Sequence, residues 1–278
     1  MSVIAFASAK GSPGVTTTVL ALAWVWPHIA PGRRVVVVDA DVAGGGVATG
    51  YLQGAASSGR GILSLATGRS ADAVASFWDS LMALDDDGSR LLLAGVTDPA
   101  QARVVENSWT PLAGVLDQLD SADAPVDVLV DLGRLGTANE AVALRQRADL
   151  MLLVMTSSLT SVATARPALR RLIDERVAAG RGPAVVASMV VGERQPYSSA
   201  EIGEVLGSPV MATIVEDSST ASVFSRGTAP GARFGRSPLM RSASAAAEQI
   251  RGAVTGDAEV PVFAPATTGA AVGADRDD

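Results

Sequence analysis

The sequence predicts an α/β fold of the doubly wound kind: a mostly parallel sheet of about seven strands with helices on both faces. Three observations carry this. Short apolar, β-branched runs alternate with helical stretches of roughly 10–20 residues, the pattern of repeated βαβ units. Some runs, such as Val35-Val36-Val37-Val38, are apolar at every position, as in strands buried on both sides. A glycine-rich loop, Lys10-Gly11-Ser12-Pro13-Gly14-Val15-Thr16-Thr17, joins the first apolar run to the first helical stretch.

In chain order, strands are expected at Val3–Ala7, Val35–Asp39, Leu91–Ala94, Val126–Asp131, Leu150–Met155, Ala184–Val191 and Val210–Ile214. Each is an apolar run of strand length. Helices are expected at Thr16–Trp26, Ala71–Leu84, Thr110–Leu119, Asn139–Arg147, Ser161–Ala179 and Ser199–Leu206. Pro27 is expected to stop the first of them, leaving Trp24 and Trp26 to pack at its end and His28 in a solvated turn. A last helix runs from Pro238 to Val254, with Ser237 as N-cap and Pro238 in the first position. The Gly/Ser-rich stretch Gly44–Gly61 reads as a loop. Residues 1–256 form one domain, and 257–278, acidic and without periodicity, read as a disordered tail.

Composition narrows the chemistry. Of 278 residues, 48% are hydrophobic and 18% charged, which suits a sheet buried between helix layers. Mean hydropathy is +0.29, raised by Ala and Val. No apolar stretch nears the roughly 20 residues that span a bilayer. Met1 to Ala7 lack a basic leader and run straight into a strand, so no signal peptide is expected. The absence of cysteine excludes disulfides, thiolate catalysis and cysteine-bound metal, and fits a cytoplasmic address. A single histidine rules out a histidine metal cluster. Net charge of −7 disfavours broad nucleic-acid binding. The basic residues other than His28 are arginines, except for one lysine, and that lysine is Lys10 in the loop.

Three places carry functional chemistry. Gly11 and Gly14 let the loop backbone curl so that successive N–H groups point inward. The helix beginning near Thr16 aims its positive end at the same point, which makes a phosphate nest. Thr16 stands where a phosphate loop supplies a hydroxyl to Mg²⁺, and Val15 where it supplies a lysine to the terminal phosphates. Pro13 lacks an N–H and removes one donor. The second place is Asp39-Ala40-Asp41, at the carboxyl end of a strand, where ligands bind in open α/β sheets. The third is Asp131, ending Val126-Asp127-Val128-Leu129-Val130, where a phosphate-loop protein holds the Mg²⁺ shell.

In this order the motifs resemble the ParA/MinD family of deviant phosphate-loop ATPases, which includes the TadZ/CpaE-type positioning proteins of pilus machinery. The family's loop reads K-G-G-x-G-K-[ST]-T. Lys10 occupies the signature position, Gly11, Gly14, Thr16 and Thr17 match, Ser12 replaces a glycine, and Val15 replaces the second lysine. Val35–Asp41 resembles V-L-L-I-D-x-D-P, with Val42 for the proline, and Val126–Asp131 resembles the family's Walker B strand. Ala148-Asp149 and Leu206–Val210 with Ile214–Asp217 resemble two later segments, so the similarity runs from about Val3 to Val254. Where the family often has Asn-Arg for the adenine base, this chain has Val191-Gly192-Glu193-Arg194, and Val215 stands for a proline.

The resemblance implies ATP and Mg²⁺ as ligands and a homodimer with a partner or cargo that the sequence does not name, DNA being disfavoured by net charge. The membrane-targeting last helix of MinD is not evident here, where that helix is mostly Ala and Ser and the tail acidic. It implies catalytic roles for Lys10, reaching the phosphates of the partner copy, and for Asp41. It implies nucleotide contacts from Gly11, Ser12, Gly14, Val15, Thr16 and Thr17, and Mg²⁺ contacts from Thr16, Asp41 and Asp131. Losing one charge-assisted phosphate contact weakens binding by about ten- to a hundredfold, and hydrolysis suffers more. The expected function is therefore a spatial organiser, in secretion, pilus or cell-pole positioning, with weak or no hydrolysis. The alternative is an active ATPase that drives DNA or protein partitioning. Arg166, Arg170 and Arg171 read as a solvated helix face. Arg134 reads as a loop arginine with access to phosphates as its other reading, and Arg226, Arg233, Arg236 and Arg241 as a cluster open to an acidic partner.

Overall fold

The computed structural model describes residues 1–10, 14–43, 46–55, 60–67, 72–180, 186–194 and 196–257. Among these, eight strands are found: β1 (Ser2–Ser8), β2 (Arg34–Asp39), β3 (Met82–Ala83), β4 (Arg90–Leu93), β5 (Val126–Arg134), β6 (Leu150–Thr156), β7 (Val186–Val191) and β8 (Val210–Ile214). They form one sheet in the order β3-β4-β2-β5-β1-β6-β7-β8. Every pairing is parallel except that of β3 with β4. The helices are α1 (Val15–Ile29), α2 (Ile62–Thr67), α3 (Ala73–Asp79), α4 (Ala102–Val105), α5 (Trp109–Ser121), α6 (Val142–Arg147), α7 (Leu159–Ala178), α8 (Ser199–Leu206), α9 (Ser218–Arg226) and α10 (Pro238–Thr255).

Two cores flank the sheet, and alternation along each strand divides the side chains between them. Val36, Val38, Val128 and Val130 face one layer, where Phe77, Trp109, Leu116, Leu144 and Leu169 pack. Val35, Val37, Leu129, Ile4 and Phe6 face the other, where Leu22, Trp26, Phe224 and Ile250 pack. The runs that are apolar at every position therefore have both faces covered. Among the described residues, no helix is long and apolar enough to cross a membrane.

The seven expected strands are all present, and β3 is an addition. It lies inside the segment Ala71–Leu84 expected as one helix. That helix ends at Asp79, and Met82 and Ala83 pair with Leu92 and Leu91. The turn between them is held by Asp85, which accepts from Ser89 N (2.9 Å), Ser89 Oγ (2.5 Å) and Arg90 Nε (2.9 Å). Apolar spacing alone does not separate a helix end from a short edge strand.

Three further expectations are corrected. Pro27 does not stop α1, which continues to Ile29, and Ala30 N still donates to Trp26 O at 2.8 Å. His28 is accordingly in the last helical turn rather than a loop, although it is exposed as expected. Within Gly44–Gly61, Val47–Tyr51 forms a π-helical turn whose Tyr51 ring lies 6.1 Å from that of Phe224. The helix α9 was not expected because Ser218–Arg226 is rich in serine. It is set by Asp217, which caps Thr220 N at 3.1 Å, by buried Val223 and Phe224, and by Gly227 in the left-handed region.

The amino ends of the strands are tied by buried charge. Asp127 accepts from Ser2 N (3.1 Å), Trp26 Nε1 (3.1 Å), and Arg33 Nε and Nη2 (2.9 Å each). Arg147, 5% exposed, pairs with Asp117 (2.5 Å), Asp120 (3.0 Å) and Asp149 (2.9 Å). At the far end of the chain, Ser237 caps α10 through Met240 N at 3.3 Å, with Pro238 in the first turn, as expected. Ser237→Ala should cost about 1 kcal/mol, a drop of about 2–4 °C in the thermal midpoint by calorimetry. The expected tail lies outside the described residues from 258 onward.

Candidate functional site

Parallel strands all end on the same side of the sheet. β2, β5 and β1 are neighbours, so Asp39 to Asp41, Asp131 and the segment leading to Lys10 lie side by side. Asp39 and Asp131 are register partners across β2 and β5, and Ala40 N donates to Asp131 O at 2.8 Å. The start of α1 completes the site. Gly14 sits in the left-handed conformation (φ +84°) and accepts from Thr18 N at 2.8 Å. Among the described residues, no side chain caps the helix, and no acid occupies its first turn, so the positive end of the helix is suited to meet an anion.

The carboxylates are crowded. Asp39 and Asp131 are each 1% exposed, and each keeps one Oδ2 without a hydrogen-bond partner. Burial, then the charges of Asp131 and Asp41, hold Asp39 well above the usual carboxylate range. Burial pushes Asp131 up to about 6, against the Thr16 hydroxyl and the Gly133 N–H (2.9 Å), while Asp41 adds to the rise. Asp41 is half-buried and accepts from Ala43 N at 2.9 Å.

Two glycines make this packing feasible. At Gly133, which has φ +61°, a Cβ would fall 2.6 Å from Asp41 Oδ2. At Gly95 a Cβ would fall 2.5 Å from Asp39 O and 2.7 Å from its Cγ. Any side chain at either position would displace a carboxylate.

These residues fit a nucleotide with Mg²⁺. The Thr16 hydroxyl and the Asp131 carboxylate it hydrogen-bonds, whose Oδ2 has no partner among the described residues, offer oxygens suited to a hard cation. Among the described residues, nothing lies within 4 Å of a Cβ built on Gly14. Among the described residues, no three His, Asp or Glu side chains converge into a metal group of their own. A cation held here would draw its remaining ligands from phosphate and water.

The sequence-derived residues fall as follows. Thr16 and Thr17 are half-buried at the helix start, Asp41 and Asp131 are in the cluster, and Lys10 is exposed beside them. Gly11 and Ser12 lie outside the described residues. Val15 is 6% exposed and packs in the core shared by α1 and β1, so its contribution to a ligand is limited to its backbone. Glu193, in the segment that replaces the base-binding Asn-Arg, accepts from Ser199 N (3.2 Å) and Oγ (2.6 Å). Arg166, Arg170 and Arg171 are exposed, with Arg171 3.8 Å from Glu175. Sequence reasoning placed Asp39 in the site but missed its contact with Asp131, and it missed Gly95. The strand register supplies the first, and nothing local to Gly95 signals the second.

No protein-family profile matches the chain, and no curated protein sequence does. Solved structures do resemble it. MinD cell division protein from Aquifex aeolicus is 19% identical with a TM-score of 0.69, over 91% of this chain and 98% of that one. The septum site-determining protein MinD from Pyrococcus horikoshii, complexed with Mg-ADP, is 16% identical with a TM-score of 0.70, over 93% and 99%. A ParA family ATPase from Chlorobium tepidum is 17% identical with a TM-score of 0.64, over 88% and 98%. With its sheet order, the acidic ends of β2 and β5 and the uncapped α1, the chain has the fold of the MinD and ParA ATPases.

Proposed function

We propose that this protein binds Mg·ATP weakly, hydrolyses it slowly or not at all, and acts as a homodimer that positions a protein cargo. The observation that carries the reading is the pairing of an intact acidic side with an altered basic one. Asp39, Asp41, Asp131 and Thr16 are assembled beside the start of α1, while the lysine position holds a buried valine.

Backbone N–H groups of Val15, Thr16 and Thr17 bind and orient the phosphates. Thr16 and Asp131 hold Mg²⁺, which when bound neutralises phosphate charge. Asp41, held against Gly133, faces the same space and orients a water. Lys10 is exposed, and its position suits contact with nucleotide in a second copy of the chain. The similarity to a septum site-determining protein and to a ParA family ATPase supports a positioning role.

Titration calorimetry tests the reading. The wild type should bind Mg·ATP, and chelation of Mg²⁺ should weaken binding. Val15→Lys should tighten binding by about ten- to a hundredfold. No heat from either protein at millimolar nucleotide would sink the proposal. Rapid turnover that is lost in Asp41→Ala would instead favour a working ATPase.

A further inference from the structure

We propose that Arg134 supplies, from within the same chain, the cationic contact to the terminal phosphate that Val15 does not make. The inference rests on the nucleotide-binding reading above and names a residue which that reading does not need.

The geometry places Arg134 beside the end of the strand that leads into the loop. It is the last residue of β5 and the register partner of Ser8, which ends β1 just before Lys10. Ser8 grips the segment on either side of it: Leu135 N donates to Ser8 O at 2.9 Å, and Ser8 Oγ donates to Gly133 O at 3.5 Å. Thr137 Oγ1 donates to the Arg134 carbonyl at 3.3 Å. Left-handed Gly133 (φ +61°) and Gly136 (φ +79°) bracket it in a tight turn. Its backbone is therefore held beside the end of β1, which leads to Lys10, while its side chain is exposed.

Charge points the same way. Buried arginines of this chain, such as Arg145 and Arg147, are held in ion pairs, whereas no ion pair to Arg134 is found among the described residues. The site gathers three carboxylates, Asp39, Asp41 and Asp131, and a triphosphate adds further negative charge. Among the described residues of the loop and of the β2 and β5 ends, the cations are Lys10 and Arg134. The proposed function assigns Lys10 to a second copy, which leaves Arg134 for the same chain. A guanidinium presents paired donors that match a phosphate edge, so an arginine reaching in from β5 can replace a lysine of α1.

The test is calorimetric titration of Mg·ATP, Mg·ADP and inorganic tripolyphosphate into wild type, Arg134→Ala, Arg134→Lys and the Val15→Lys/Arg134→Ala double variant. Thermal melts accompany each as a check of folding. Arg134→Ala should weaken ATP and tripolyphosphate by about ten- to a hundredfold and ADP by less. Arg134→Lys should recover part of the loss. In the Val15→Lys background the loss should shrink to a few-fold, because the new lysine fills the same role.

Equal ATP affinity in wild type and Arg134→Ala would overturn the assignment while leaving the nucleotide reading intact. An equal loss for ATP and ADP would also overturn it. Absence of ATP binding by the wild type would overturn both. If Val15→Lys fails to fold, the contrast between ATP and ADP in the single variant decides.

Discussion

Asp127→Ala should destabilise the protein by about 3–5 kcal/mol, the largest loss expected from any single change. The carboxylate is 4% exposed and binds four donors from three parts of the chain: Ser2 on β1, Trp26 on α1, and Arg33 before β2. Truncation leaves the Trp26 indole N–H unsatisfied in a side chain that is fully buried, and leaves Arg33 without its counter-ion. Asp127→Asn should cost less, because an amide oxygen still accepts while the charge is lost. Urea denaturation of the three proteins checks both statements. A loss under 1 kcal/mol for Asp127→Ala would show that the amino ends of the strands hold together without this carboxylate.

Asp39→Asn should have the opposite sign and stabilise the ligand-free protein at neutral pH. Asp39 and Asp131 are buried neighbours whose carboxyls hold their protons more tightly in the fold than in the unfolded chain. Between the ordinary carboxylate range and about pH 6 the folded state therefore binds more protons, and stability falls as pH rises through that window. Above it the cost of ionising Asp131 is present in full, and Asp39, raised well above the usual range, adds its own. The amide removes one charge and can donate to Asp131. The gain should grow as pH rises and should vanish only below the ordinary carboxylate range, where both carboxyls are protonated in either state. Thermal melts of both proteins in chelator across that range measure it. A gain that does not change with pH would mean that packing, rather than charge, is responsible. Native proteins tolerate such a cost where a ligand relieves it, and Mg²⁺ beside Asp131 is a ligand of that kind.

Much of the fold was legible along the chain. Val35–Val38 and Val128–Val130 are apolar at every position, as a strand covered on both faces requires. Ser237-Pro238 announced α10 because capping is local chemistry. The misreadings lie where distant partners decide. Met82-Ala83 is a strand because Leu91 and Leu92 lie opposite, and Pro27 stays within α1 because helix packing on the sheet outweighs one missing N–H.

The site divides in the same way. Lys10, Gly14, Thr16, Asp41 and Asp131 could be named from motifs, since strand-loop-helix spacing is a property of contiguous residues. Only the three-dimensional arrangement shows that Asp39 is pressed against Asp131, that Gly95 and Gly133 make room for carboxylates, and that Val15 faces the core. Burial, charge crowding and the setting of Arg134 beside Ser8 arise from strands far apart in sequence meeting side by side, and no local pattern encodes which neighbour each strand will have.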